Sequence, residues 1–303
     1  MIVDAHTHMW RGPEQLGPAQ TRSLQRKLGD RWQELDASPR AHGEAIAPVA
    51  VAFVLGYRSR YLGADVPNEL VAEHVAGDPG RLVGFGGMDP TDPDAVKQVE
   101  QLPAMGLEGV AIDPAGQDFH PADSRAMRCY EACAALGLPI VVQTGERLPG
   151  EAKLEYARPY LFDEIARTFT DLKLIIGGLG RPWPDETFVL VDKHPNVFTD
   201  LAGLCNRPWP LYNLLLQAYQ LGVTDRLLFG SGFPFISPGE AIEAIYSLNR
   251  YAHGTSLPSI PREKLRMIVE RDTLKALGLP PRGEAPAQPT RPTVQTAASE
   301  EPQ

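Results

Sequence analysis

A regular alternation of two kinds of segment restricts this chain more than any other feature. Short runs of β-branched and apolar residues recur eight times: IVDAHTH (2–8), IAPVAVAFVL (46–55), LVGFGGM (82–88), LEGVAI (107–112), PIVVQT (139–144), KLIIG (173–177), NVFTD (196–200) and RLLFG (226–230). Amphipathic stretches of helical period follow them, at 20–36, 66–77, 92–105, 123–136, 156–170, 185–193, 209–221 and 238–252. A further one spans 261–277, with Pro261 at its start and Gly278 at its end. Continuous apolar strands need cover on both faces, which helical crossovers supply. Eight such units predict an α/β fold, a (β/α)8 TIM barrel with an extra C-terminal helix, and the 303-residue length suits one domain of that kind.

The stretch after Leu279, PPRGEAPAQPTRPTVQTAASEEPQ, contains no Leu, Ile, Met, Phe, Tyr or Trp. It has too little apolar surface to offset the entropy of ordering it. The expected organisation is a barrel domain over 1–279 and a disordered Pro-rich tail over 280–303.

Charge narrows the partners. Asp and Glu number 38 against 29 Lys and Arg, a net charge of −9, which disfavours nucleic acid and anionic membrane. No apolar run approaches the ~20 residues that cross a bilayer. The opening MIVDAHTHMW reads as no secretory leader, and three cysteines form no closed disulfide framework, so the expected location is cytoplasmic. Cys129 and Cys133, four apart in a helical pattern, read as packed thiols; Cys205 has no adjacent base.

In a barrel of this kind the chemistry sits at the C-terminal ends of the strands and in the loops after them. Asp4, His6 and His8 alternate along the first strand, so the pattern predicts that they share its inward face. Two imidazoles and a carboxylate there need hydrogen-bond or metal partners. Of the other histidines only His120, in the loop after strand 4, falls at the same end. Asp113 ends strand 4, Gln143 and Glu146 end strand 5, and Asp200 closes strand 7, as a support for the site or an acid–base group. Arg11, Arg58, Arg60, Arg147, Arg181 and Arg207 lie in the loops of that face, where guanidinium groups bind carboxylate or phosphate. Trp10, Trp183, Phe233 and Phe235 offer apolar walls for a planar molecule. Gly84, Gly86 and Gly87 lie inside a strand and lack the setting of a phosphate loop.

DAHTH (4–8), GLEGVAIDP (106–114), VVQTGE (141–146), LIIGGLGRPWPDE (174–186), NVFTDLAGL (196–204), DRLLFGSGFP (225–234) and IPREKLRMIVERD (260–272) together resemble the amidohydrolase-related family of metal-dependent barrels, which includes aminocarboxymuconate semialdehyde decarboxylase and related decarboxylases and hydrolases. The resemblance covers about 1–279. It implies a metal-binding and catalytic set of which this chain keeps His6 and His8. Where the family usually has a strand 5 histidine stands Gln143; where it has a strand 6 histidine, Gly178; where it has a strand 8 aspartate, Gly232.

Three readings follow. In the first, His6 and His8, with Asp4 and Asp200, perform acid–base chemistry without the usual metal. Arg58, Arg60, Arg181, Trp183, Gln143 and Glu146 then hold a small anionic, aromatic or cyclic substrate for hydrolysis or decarboxylation. In the second, a rebuilt site of His6, His8 and Asp113 or Glu146 binds a metal. In the third, the chain is a non-catalytic relative that binds a metabolite or a partner protein. The cofactor expectation is none, or a weakly bound divalent metal such as zinc at His6 and His8. The resemblance implies a homodimer, and the Ala-, Pro- and Arg-rich composition points to a bacterial source.

Overall fold

A computed structural model of the chain describes residues 1–144 and 148–282. Eight parallel strands form one sheet in sequence order: β1 (Val3–His8), β2 (Val51–Leu55), β3 (Leu82–Gly87), β4 (Leu107–Ile112), β5 (Ile140–Val142), β6 (Leu174–Ile176), β7 (Val197–Asp200) and β8 (Leu227–Leu228). The chain beyond β8 closes the barrel onto β1. Ala5 N donates to Phe229 O at 2.8 Å, Gly232 N to His6 O at 2.8 Å and His8 N to Phe233 O at 2.9 Å. Helices separate the strands, as parallel pairing requires, and the predicted (β/α)8 barrel is the architecture observed.

Alternation along the strands divides the core. Val51, Phe53, Leu55, Val83, Phe85, Ala111, Val141, Ile175, Phe198 and Leu228 fill the inside of the barrel. Ala52, Val54, Val110, Ile112, Ile140, Val142, Leu174 and Ile176 pack outward against the helices. Leu274, Leu277 and Leu279 join the inner cluster, so the end of the domain closes the barrel floor. Beyond them Arg282 donates to Pro79 O at 3.0 Å and pairs with Glu108. The rest of the predicted tail, 283–303, lies outside the described residues.

Three elements differ from the sequence pattern. The predicted strand start at 46–50 is instead the exit of a helix, Pro39–Ala45, whose N-cap Ser38 accepts from Ala41 N at 3.2 Å. Residues 261–277 form two helices, Arg262–Val269 and Thr273–Leu277, because the Asp272 side chain caps a second N-terminus by accepting from Lys275 N. Between β2 and β3 the chain makes a small antiparallel hairpin, Tyr57–Ser59 against Ala64–Val66. Among the described residues no helix is long and apolar enough to cross a membrane.

Candidate functional site

The first strand carries the site, through an irregularity the alternation does not show. The β1–β2 register shifts between Asp4 and Thr7. Val3 and Ala5 pack into the inner core, whereas His6 and His8 line a cavity at the C-terminal mouth. One bulge thus puts Asp4 and His6 on different faces. Asp4, predicted beside them in the cavity, does not line it. Its Oδ1 accepts from His6 N at 3.2 Å and Ser231 N at 2.9 Å, holding β1 to the loop after β8, and burial raises its pKa to about 6.

His6 has a defined partner. Its Nδ1 lies 2.7 Å from Asp200 Oδ2, and both side chains are almost wholly buried. The other oxygen of Asp200 accepts from Gly178 N and Ala202 N, each at 2.8 Å. The chain after β6 makes this possible. Gly178, Leu179 and Gly180 have φ of 56°, 57° and 60°, and this left-handed turn presents the Gly178 amide to the carboxylate. Leu179 tolerates that conformation, unusual for a branched side chain, in full burial. The His8 ring meets the His6 ring edge-on, with centroids 5.0 Å apart.

The cavity is about 150 Å³ and is open to solvent. Its polar lining includes His6, His8, Tyr57, Asp113, Gln143, Thr144, Arg181 and Arg207. Trp10, Leu16, Leu24, Val66 and Phe235 form apolar walls. Leu16, Gln20 and Leu24 reach it at four-residue spacing, the last two from helix α1 (Pro18–Leu28), which packs over the mouth. Arg181 is buried, and its guanidinium is oriented by Nε to Gly178 O at 3.3 Å and Nη2 to Gly203 O at 3.0 Å.

Other expected site residues lie elsewhere. Arg58 and Arg60 do not line the cavity. The hairpin alternates, so Tyr57 faces the cavity while Arg58 and Arg60 point outward onto Asp92, at 3.1 and 3.2 Å. Trp183 is outside the lining too, with the Arg158 guanidinium 5.2 Å above its ring. Phe233 packs against His42 instead of the cavity, Arg11 pairs with Glu73 on the surface, and exposed His120 accepts from Ala122 N. Glu146 and Arg147 lie outside the described residues. Tyr57 and Thr144 went unrecognised in the sequence. The available signal for Tyr57 was its parity with Leu55, two residues before it at the same strand end.

The donor set does not suit a three-ligand metal centre. His6 and His8 are two imidazoles, and a catalytic zinc site normally takes three protein ligands. Among the described residues no group of three or more His, Cys, Asp or Glu could hold a metal ion. Asp113 accepts from Gly116 N on Oδ1 at 3.1 Å and from the Tyr57 hydroxyl on Oδ2 at 3.1 Å, and it forms no metal-holding group with the two histidines. Gly178 and Gly232 bring no donor atoms. Gln143 gives one amide N–H to Gly56 O at 3.0 Å.

A family model described as amidohydrolase matches residues 3–271. No curated protein matches the chain. Among solved structures, an uncharacterised TIM-barrel protein of Bordetella bronchiseptica is similar at 21% identity, with a TM-score of 0.69, over 91% of this chain and 98% of that one. A dihydroxybenzoic acid decarboxylase of Polaromonas, with bound manganese and an inhibitor, is similar at 15% identity and TM-score 0.65, over 91% and 96% of the two chains. An amidohydrolase of Burkholderia multivorans with bound zinc is similar at 16% identity and TM-score 0.64, over 92% and 100%. At these identities the likeness is one of fold.

Proposed function

The chain belongs to the amidohydrolase family, and from that premise we propose that it is a hydrolase or decarboxylase of a small carboxylic acid, with His6 as its acid–base group. The observation that carries this reading is the 2.7 Å contact between His6 Nδ1 and Asp200 Oδ2 at the edge of the cavity. A carboxylate on Nδ1 fixes the tautomer and leaves Nε2 for proton transfer. The two backbone amides on Asp200 Oδ1 hold that carboxylate in place. His8, edge-on to His6, completes the polar end of the cavity.

Arg181 and Arg207 are the groups that would receive the substrate's carboxylate, and Trp10 and Phe235 would flank an aromatic or cyclic body. In hydrolysis of an amide or lactone, His6 Nε2 takes a proton from water as its oxygen bonds to the carbonyl carbon, then delivers it to the leaving nitrogen or oxygen. In decarboxylation, His6 supplies the proton that replaces carbon dioxide on the substrate carbon. The same reading makes the chain a cytoplasmic protein acting on a small anionic molecule, with no nucleic-acid or membrane partner. The acidic composition and the arginine-bearing cavity support the choice of partner, and three buried free thiols suit a reducing compartment.

The test is a turnover screen of aromatic and cyclic carboxylic acids and lactones, read by carbon dioxide release and by acid production. The expected result is turnover of at least one compound by the parent and not by His6→Ala. Compounds that bind in the cavity and are never turned over would instead make the chain a binding protein.

A further inference from the structure

The cavity side built by β2, β4 and β5 has spent donors on the protein itself. The Tyr57 hydroxyl donates to Asp113 Oδ2 at 3.1 Å. The Thr144 hydroxyl donates to Gly177 O at 2.5 Å. Gln143 gives an amide N–H to Gly56 O at 3.0 Å, which turns its carbonyl oxygen away from that contact. All four side chains line the cavity, and acceptor lone pairs are what Tyr57, Thr144 and Asp113 retain for a guest. Two of these bonds tie the patch together, since Gly56 and Tyr57 are adjacent and reach Gln143 and Asp113 respectively.

Asp113 stands out within the patch. It is buried, and its surroundings are a backbone amide and a phenol, with no cationic side chain contributing among the described residues. Burial raises its pKa to about 6, the behaviour of a desolvated carboxyl to which no described side chain brings a counter-charge. A buried anion at a cavity wall is satisfied best by a positive guest. A hydroxyl would bring one donor and add lone pairs; an ammonium brings three donors, no acceptor and the missing charge.

We propose that the Asp113–Tyr57–Gln143 wall binds a primary ammonium group, so that the substrate is a small amino acid-like zwitterion rather than a simple anion. The ammonium rests against Asp113 Oδ2, the Tyr57 oxygen and the Gln143 carbonyl oxygen. The carboxylate end of that zwitterion rests on the function proposed above; the ammonium end is independent of it. The substrate's two charges are then read from separate strand ends, β4 for the ammonium and the loops after β6 and β7 for the carboxylate. This fixes which way round the molecule lies.

The experiment is titration of the full chain by calorimetry with five probes at about pH 7.5, where aliphatic amines are charged and Asp113 is ionised. Three share a carboxylate: para-(aminomethyl)benzoate, para-(hydroxymethyl)benzoate and para-methylbenzoate. Two lack it: benzylamine and benzyl alcohol. The expected result is that each amine binds at least about tenfold more tightly than its alcohol or methyl counterpart. That preference falls below roughly threefold in Asp113→Asn and is reduced in Tyr57→Phe. Amines without advantage in either set, or an advantage unchanged in Asp113→Asn, would overturn the proposal. If the carboxylate reading alone is wrong, para-(aminomethyl)benzoate binds no better than benzylamine, while benzylamine still outbinds benzyl alcohol. Should Asp113→Asn fail to fold, the parent series and Tyr57→Phe decide. Failure of all five to bind at millimolar concentration overturns both ideas.

Discussion

Which nitrogen of His6 the protein holds, and which it offers, depends on Asp200. Asp200 was legible as a strand-end carboxylate, but its distance to His6 was not, because the two are 194 residues apart in sequence. The paired imidazoles were legible from HxH alone. Asp4 was misplaced because a bulge leaves no mark on an alternating pattern, and a one-residue slip exchanges faces. Arg58 and Arg60 were misplaced for the converse reason: the hairpin that sets their parity was not recognised. On the reverse side of β1, Thr7 Oγ1 lies 2.7 Å from His42 Nε2, and His42 Nδ1 lies 3.0 Å from His74 Nε2. Burial and the neighbouring His74 depress the His42 pKa to about 3. The folded value is below the unfolded one, so the unfolded chain binds the extra proton as pH falls. The contribution is therefore complete above about pH 6.5 and is lost on the way to about pH 3, on the order of 5 kcal/mol in all. Chemical denaturation at stepped pH should show the parent losing more stability on acidification than His42→Gln, by an amount of that order. Parallel curves for the two proteins would contradict the assignment.

At the scale of elements, the strand–helix order and most boundaries were readable because a parallel barrel demands apolar strands and amphipathic helices in strict succession. The helix Pro39–Ala45 was missed although Ser-Pro at 38–39 is a capping signal, since the apolar run after it read as a longer strand. The loops after β6 and β8 leave no room for a side chain at the two positions where the resemblance implies a histidine and an aspartate. Gly178 and Gly232 have φ of 56° and 77°, and an added Cβ would lie 2.8 Å from Ala202 O and 2.9 Å from Gly203 N respectively. Restoring an aspartate at Gly232 should therefore cost stability, by about 1–3 kcal/mol or more, without creating a tight metal site. Denaturation together with metal titration of Gly232→Asp checks this; an unchanged stability with stoichiometric metal uptake would contradict it. The floor of the barrel makes a separate prediction. Leu277 is 2% exposed within the inner cluster, so Leu277→Ala should cost about 2–5 kcal/mol in denaturation, while the cavity at the opposite end keeps its ligand affinity per folded molecule. A loss under half a kcal/mol (roughly the surface-mutation range) would show that the terminal helix is not packed there.

Over the whole molecule, the division of labour is that of a barrel whose inner layer and floor are apolar and whose mouth holds polar groups. The −9 net charge makes the arginines at that mouth more distinctive, since Arg181 is buried beside the cavity instead of spread over the surface. A carboxylic acid that occupies the cavity should raise the melting temperature, because a ligand that binds only the folded state stabilises it by mass action. The most direct test of the central claim is the kcat of Asp200→Asn relative to the parent, on whichever acid the screen shows to be turned over, with the folded fraction matched. The account predicts a fall of roughly a hundred- to ten-thousandfold, as for removal of a general acid–base group; a kcat within about threefold of the parent would contradict it.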